Sequence, residues 1–269
     1  MTGTEQRSFP GTSLRYVALG DSQTEGVGDG DDTAGLRGYA DRLAESLARH
    51  SPGVRYANLA VRGRLAGQVR TEQLAPALAL RPDLATVVAG VNDLLRPRFD
   101  ADGVAGHLEA MFAALTAQGA RVATVTFPDV ARITPIARPL SSRVTALNHR
   151  ILRAADRHGV AVAETSGHPV VTDPRLWAAD RLHAGPLGHE RIAAALAHTL
   201  GLPGSDDSWT RPLPGPPAAV LAGWRGVAGE VRWVASFAGP WVGRRLRGRS
   251  SGDGRAAKRP QLLPVEAGD

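Results

Sequence analysis

The sequence contains no cysteine. Disulfide bonds, thiolate metal sites and a cysteine nucleophile are therefore excluded. No run of apolar residues reaches the roughly 18 that a membrane-spanning helix needs. The N-terminus lacks a basic start followed by an apolar stretch, so we predict no secretory signal and expect a cytoplasmic location.

Lysine is almost absent, since arginine supplies 31 of the 32 basic residues, yet the chain carries a net charge of +6. The excess is local. Residues 242–260 hold seven basic residues and one acid, and the rest of the chain holds 25 of each sign. Because the basic charge belongs to a tail, it does not indicate a specific nucleic-acid partner for the main domain.

With 269 residues, the chain is long enough for one large domain, or for a domain with an appendage. Five short apolar runs alternate with segments that have apolar residues at helical spacing. This alternation predicts parallel βαβ units with helices on both faces of a five-stranded sheet. Ligands of such sheets bind at the carboxyl ends of the strands. The five predicted strands are 15–20, 54–60, 84–90, 121–127 and 160–164.

Composition divides the chain into five parts. The prediction is a flexible N-terminus (1–14), a catalytic domain (15–202), a Pro/Gly-rich linker (203–219), an amphipathic helical segment (220–247) and a basic, disordered tail (248–269). The helical segment carries Trp224, Trp233 and Trp241 on or beside an apolar stripe. It is expected to dock on its own domain or, alternatively, to contact an anionic membrane surface.

Polar residues follow the ends of the predicted strands. Because parallel strands share one carboxyl edge, we expect these residues to lie at one site. They are Asp21 and Ser22 after the first strand, Gly63 after the second, Asn92 and Asp93 after the third, and Asp180 and His183 after the fifth.

These residue types match nucleophilic catalysis. A serine hydroxyl such as that of Ser22 needs a base to take its proton, and His183 titrates near working pH. Asp180, three residues before the histidine, can hold the ring in one tautomer. The backbone N–H groups of Ser22 and Gly63, with the Asn92 amide, would stabilise an oxyanion.

Four segments in this order resemble the SGNH hydrolases, also called GDSL-type esterases and lipases: "GDSQTEG", "NLAVRGR", "AGVNDL" and "DRLHAGPLGH". The resemblance covers roughly residues 15–200. It implies a flavodoxin-like three-layer α/β/α sandwich, a small-molecule or lipid ester as substrate, and no cofactor or metal. It also implies a Ser22–His183–Asp180 triad with Ser22, Gly63 and Asn92 as the oxyanion hole. Gln23 departs from the family, which has leucine there.

Simpler interpretations exist for each residue. Ser22 or Asn92 could cap a helix, and Gly63 could only supply a positive φ. His189 is expected to be structural, although a metal site with His183 is conceivable. The glycine-rich stretch at 26–38 carries three acids that would repel phosphate, so it is interpreted as a mobile loop flanking the active site.

At the level of the whole protein, the rival to a serine esterase is a non-catalytic ligand-binding module on the same fold. Within the same chemistry, an acyltransferase, a carbohydrate deacetylase and a lysophospholipase remain open.

Overall fold

The computed structural model describes residues 13–215, 236 and 250–266. The strands of this part of the chain are β1 (Arg15–Gly20), β2 (Gly30–Asp31), β3 (Gly35–Leu36), β4 (Arg55–Asn58), β5 (Leu84–Val88), β6 (Arg121–Val125), β7 (Ala161–Ala163) and β8 (Arg259–Pro264). Its α-helices are α1 (Ser22–Glu25), α2 (Tyr39–His50), α3 (Ala66–Ala79), α4 (Val91–Leu94), α5 (Ala101–Ala117), α6 (Ser141–Arg157) and α7 (Pro186–Thr199).

The main sheet has the strand order β7-β6-β5-β1-β4-β8. Five strands pair in parallel, and in chain order they give the flavodoxin-like arrangement 2-1-3-4-5. Helices α2 and α7 pack together, and α5 packs against both α3 and α6, which gives a helical layer on each face. The predicted three-layer α/β/α sandwich is confirmed. The chain reverses its direction of travel across the sheet at β1, so ligands are expected at the end of this strand.

The helices form because their apolar residues share one face. In α2, Tyr39, Leu43 and Leu47 recur every four residues and are buried against the core. β1, β4, β5 and β6 are almost entirely buried, as strands covered by helices on both faces must be, whereas β7 is half-buried.

The predicted count of five strands is wrong, because β8 adds a sixth. β8 pairs antiparallel with β4 and includes part of the tail that was predicted to be disordered. Arg259 Nε donates to Tyr56 O at 2.8 Å, and its guanidinium lies 5.3 Å from the Tyr56 ring centroid. The strand covers the free edge of β4, and its two prolines are tolerated because it is itself an edge strand.

The predicted linker also differs from the structure in its first part. Residues 207–210 form a short 3₁₀ helix that buries Trp209, and Arg175 Nη1 donates to Pro214 O at 2.8 Å. The predicted helical segment, 220–247, lies outside the described residues apart from Ser236. Nowhere in the described ranges is a helix long and apolar enough to cross a membrane.

Candidate active site

Strand β1 stops at a glycine that no other residue could replace. Gly20 N–H donates to Gln73 Oε1 and Gln73 Nε2 donates to Gly20 O, both at 2.9 Å, so the side chain of α3 satisfies the strand end. A Cβ atom on Gly20 would overlap Thr24 Oγ1 and Val88 O. The absence of a side chain lets α1 begin directly against the end of β5.

The residue that caps α1 is Asp21, which accepts a hydrogen bond from Gln23 N at 3.3 Å. Ser22 is the first residue inside the helix and is 9% exposed. The interpretation of Ser22 as a helix N-cap is therefore wrong, because Asp21 occupies that position. Ser22 lies just past the carboxyl end of β1, where the topology predicts a ligand site.

Asp180 and His183 form a close pair in the loop before α7. Asp180 Oδ2 lies 2.6 Å from His183 Nδ1, and Oδ1 accepts the N–H groups of Leu182 and His183 at 3.0 Å each. Burial raises the pKa of Asp180, but the hydrogen bonds and the charge of His183 outweigh burial and hold the pKa below its usual value. An ionised carboxylate only accepts hydrogen bonds, so Nδ1 carries the proton and Nε2 is left to act as a base.

Asn92 connects the two remaining parts of the site. Its Nδ2 donates to Asp21 Oδ2 and to Arg64 O, each at 3.1 Å. Asp21 lies directly before Ser22, and Arg64 follows Gly63 in the loop of residues 59–65, called the glycine loop below. The Asn92 amide therefore lies between the start of α1 and the glycine loop. Gly63 has φ +77°, as the simpler interpretation predicted. Asn92 does not cap α4, because that position belongs to Gly90.

A family model described as "GDSL-like Lipase/Acylhydrolase family" matches residues 18–191, which is well over half of the chain. The chain belongs to this family. It is therefore an ester-hydrolysing enzyme of the GDSL type. A comparison with curated proteins gives no match.

Two solved structures show the same fold as this GDSL hydrolase. LAE5, an α/β hydrolase enzyme from the metagenome of Lake Arreo, Spain, has a TM-score of 0.59 at 21% identity, covering 72% of this chain and 97% of its own. Axe2, an acetylxylan esterase from Geobacillus stearothermophilus, has a TM-score of 0.59 at 18% identity, covering 76% and 99%.

Gln23, where the family nickname has leucine, connects helix α1, which begins at Ser22, to the loop before α7 that carries Asp180 and His183. This loop is called the histidine loop below, and the connection through Gln23 is called the neutral tie. Its Nε2 donates to Leu182 O at 3.1 Å, and its Oε1 accepts Ala184 N–H at 3.2 Å. These two partners flank His183 on either side. From the sequence alone, Gln23 stood out only as a departure from the family pattern. The sequence signal that could have revealed this role is a glutamine directly after the candidate nucleophile, because an amide buried there needs hydrogen-bond partners.

Glu25 connects α1 to the glycine loop on the other side of the hydrolase site, and this connection is called the charged tie below. Its carboxylate accepts Arg62 N–H at 2.6 Å and pairs with the Arg62 guanidinium at 2.7 Å. The guanidinium also reaches Asp32 at 2.8 Å, and Asp32 in turn pairs with Arg255 at 2.6 Å. Arg62 precedes Gly63, so this cluster anchors the glycine loop. The stretch predicted to be a mobile loop supplies Asp32 and contains the β2–β3 hairpin.

Among the buried groups with strongly shifted pKa values, Asp21 and His189 bond residues at the ends of α1. Burial raises the pKa of Asp21 to about 7, against the opposing effect of the hydrogen bond from Gln23. Burial lowers the pKa of His189 to about 4. His189 Nδ1 accepts Tyr39 N–H at 3.1 Å, and Nε2 lies 3.1 Å from Val27 O. Both ring nitrogens thus bond the backbone, which confirms a structural role and leaves no nitrogen for a metal.

An apolar pocket of about 80 Å³ lies beside the hydrolase site, between the ends of β5 and β6 and helix α7. Val91, next to Asn92, lines it, and so do Leu182 and Ala184 on either side of His183. The larger apolar residues of its lining are Phe127, Leu176, Trp177, Ile192 and Trp209. Trp209 belongs to the segment that was predicted to be a linker.

Proposed function

We propose that this hydrolase is a serine esterase that cleaves carboxylic esters through an acyl-enzyme on Ser22. The observation that carries the proposal is the 2.6 Å bond between Asp180 and His183, in a loop bonded through Gln23 to the helix that Ser22 begins. These bonds hold the loop of Asp180 and His183 next to the helix that Ser22 begins, which supports the assignment of the three residues as a triad.

In the first step, His183 Nε2 takes the Ser22 hydroxyl proton as Oγ attacks the ester carbonyl carbon. The carbonyl π electrons move onto oxygen and form a tetrahedral oxyanion. The oxyanion then collapses, the C–O bond to the alcohol breaks, and His183 returns the proton to the leaving alkoxide. A water molecule repeats the sequence on the acyl-enzyme, releasing the carboxylic acid and restoring Ser22. Each step balances without a cofactor.

The oxyanion is stabilised by the backbone N–H groups of Ser22 and Gly63 and by the Asn92 amide. In the free protein the Asn92 amide donates to Asp21 and Arg64. The oxyanion, which is charged only after attack, competes for one of these hydrogens, so the interaction favours the transition state over the ground state. Removal of one such donor typically costs about 3–4 kcal/mol of barrier.

The acyl chain occupies the apolar pocket beside His183. The walls of the pocket match a hydrocarbon chain, whose transfer from water is worth about 0.8 kcal/mol per methylene group. An acetyl group, which the name of Axe2 indicates for that enzyme's substrate, carries a single methyl group and would contact only part of this apolar lining. The substrate class we propose is therefore an ester of an apolar acyl chain several carbons long, with water as the acceptor.

The test combines active-site labelling with a chain-length series. A fluorophosphonate probe should label the wild-type protein at Ser22, and Ser22→Ala should abolish both labelling and hydrolysis of p-nitrophenyl esters. Ser142→Ala, at an exposed helix position, is the matched control and should retain full activity. Across esters from acetate to octanoate, kcat/KM should peak above acetate.

Two outcomes would contradict the proposal. Retained hydrolysis in the Ser22→Ala protein would rule out the acyl-enzyme on this residue. A folded, unlabelled wild-type protein that binds esters without turnover would favour the binding module instead.

A further inference from the structure

A loop from the C-terminal part of the chain lies directly against Gly63. A Cβ atom added to Gly63 would overlap Ser250 Oγ and lie 3.1 Å from Ser251 Oγ. A Cβ atom on Gly252 would in turn overlap Arg62 O. The C-terminal loop and the glycine loop are therefore in close contact. At this contact, neither Gly63 nor Gly252 could be replaced by a larger residue without a shift of the other loop.

This serine loop, residues 250–254, has a defined shape of its own. Asp253 Oδ2 accepts Ser250 N–H at 2.8 Å, Asp253 N–H donates to Ser250 O at 3.3 Å, and Gly252 N–H donates to Ser250 Oγ at 3.2 Å. Gly254 has φ +73°. These bonds close a tight turn that presents both serine hydroxyls toward Gly63.

Ion pairs and β8 hold the serine loop in place. Arg255 pairs with Asp32, which also binds Arg62, so the loop and Gly63 share one charged cluster. Lys258 Nζ pairs with Asp41 at 2.6 Å and donates to Leu36 O at 2.9 Å. The strand that follows pairs with β4. The loop is thus anchored at several independent points around Gly63.

We propose that the serine loop forms the wall of the ester site on the Gly63 side, and that Ser250 and Ser251 bind hydroxyl groups on the alcohol half of the substrate. The inference rests on the proposed function, which places the carbonyl oxygen at Gly63 and the acyl chain in the apolar pocket beside His183. The alcohol half is then the part of the ester left to contact the serine loop.

The chemistry of this wall selects a polar alcohol. A serine hydroxyl can donate one hydrogen bond and accept two, which suits the hydroxyl groups of a glycerol or sugar. A plain alkyl alcohol would cover the same hydroxyls without offering a partner, and an unsatisfied polar group costs about 1–3 kcal/mol when it is buried. The two halves of the preferred substrate therefore differ in polarity, with an apolar acid and a hydroxylated alcohol.

The test compares two esters of the same fatty acid, a glycerol monoester and a propyl ester, on the full chain carrying Ser250→Ala and Ser251→Ala together. We expect kcat/KM for the glycerol ester to fall about fivefold to tenfold, which corresponds to about one hydrogen bond. The value for the propyl ester should equal or exceed that of wild type, because the variant has no serine hydroxyl left to bury without a partner, and Ser142→Ala should change neither.

Two results would overturn the inference. An equal loss on both esters would show that the loop only supports Gly63, and no change on either would show that it does not contact the substrate. Failure of the proposed function has a different signature, because Ser22→Ala would then continue to hydrolyse both esters. If Ser22 is essential and the selectivity is unchanged, the serine loop inference alone is wrong.

Discussion

Gln23 and Glu25 lie two residues apart on the same four-residue helix, and they hold the two sides of the candidate active site by different physical means. Gln23 holds the histidine loop through two neutral hydrogen bonds to backbone groups. Glu25 holds the glycine loop through an ion pair and a charge-assisted hydrogen bond to Arg62. Thr24 lies between them and bonds Tyr39 at 2.9 Å.

The difference follows from what each side has to accommodate. The histidine side borders the apolar pocket, where an uncompensated charge would be costly to bury. The glycine side borders the charged cluster of Asp32 and Arg255, where a carboxylate finds partners. Neutral hydrogen bonds are nearly insensitive to salt, whereas part of the charged cluster is exposed and screened. The two ties should therefore respond differently to mutation, pH and ionic strength.

The largest expected loss of activity comes from Asp180, and the effects of breaking either tie are compared with it. Asp180→Asn should lower kcat by about 10⁴-fold, because an amide no longer fixes the productive tautomer of His183. The fold should persist, since neither tie involves this carboxylate. Steady-state kinetics and thermal unfolding measure the two quantities. Asp102→Asn, which removes an exposed partner of Arg150, is the control. An Asp180→Asn variant with near wild-type turnover would place the orienting acid elsewhere.

Breaking the charged tie should come next. Glu25→Gln leaves the Arg62 guanidinium, 14% exposed, without its main partner, and the loss of one member of such a buried pair typically costs about 3 kcal/mol. Urea unfolding should show this decrease in the free energy of unfolding. Glu72→Gln, in a more exposed pair with Arg64, should cost less than about 1 kcal/mol. Equal losses in the two variants would mean that the charged tie carries no special weight.

A change of pH should separate the contributions that Asp21 and His189 make to stability. Asp21 caps α1, and His189 bonds Val27 O just past the end of the helix. The pKa of Asp21 is raised to about 7 by burial, so its contribution to stability is present at low pH and lost as pH rises through about 7. The pKa of His189 is lowered to about 4 by burial, so its contribution is lost as pH falls below about 6.5, the unfolded value. Between about pH 7 and pH 5, each contributes about 2 kcal/mol, with opposite signs.

We therefore expect the wild-type free energy of unfolding to change little over this range. His189→Gln, which keeps a donor for Val27 O, should become more stable on acidification by about 2 kcal/mol. Asp21→Asn should become less stable by a similar amount. Urea unfolding at both pH values measures all three proteins. Parallel pH dependences in the three would refute the opposing assignments.

Removing the hydrogen bonds of Gln23, the neutral tie, should have the smallest effect on activity. Gln23→Leu, which installs the family residue, removes two hydrogen bonds of about 1 kcal/mol each. We expect kcat to fall by up to about tenfold while KM changes little, because the histidine loop moves relative to Ser22. Gln23→Glu retains the acceptor for Ala184 N–H and should recover part of the loss. Reduced thermal stability with unchanged kcat would show that Gln23 is structural rather than a positioning residue.

The sequence predicted the five parallel strands and the meeting of the site residues at one edge, because both follow from local patterns and from the shared direction of parallel strands. Strand β8 could not be predicted this way. Its residues "RPQLLP" carry two prolines and little alternation, and it becomes a strand because β4 offers a free edge far away in the chain.

The roles of Gln23 and Glu25 were missed for a related reason. Each side chain acts on a loop more than 30 residues away in sequence, and no local pattern reports such a pairing. Trp209 was assigned to a linker because prolines and glycines surround it, yet a buried aromatic side chain needs a core to pack against.

The pairing of β4 with β8 joins Arg55 to Pro264, a separation of roughly 200 residues, and such long-range pairing is slow because loop-closure entropy is lost before the contact forms. During synthesis, the parallel strands and α7 are made before β8. At about 5–20 residues per second, the remaining stretch takes several seconds to follow. We therefore expect a newly made molecule to pass through a period in which residues 15–199 have been made while the proposed wall beside Gly63 has not. During that period, the residues proposed for catalysis would be present and the proposed selectivity toward the alcohol would still be missing.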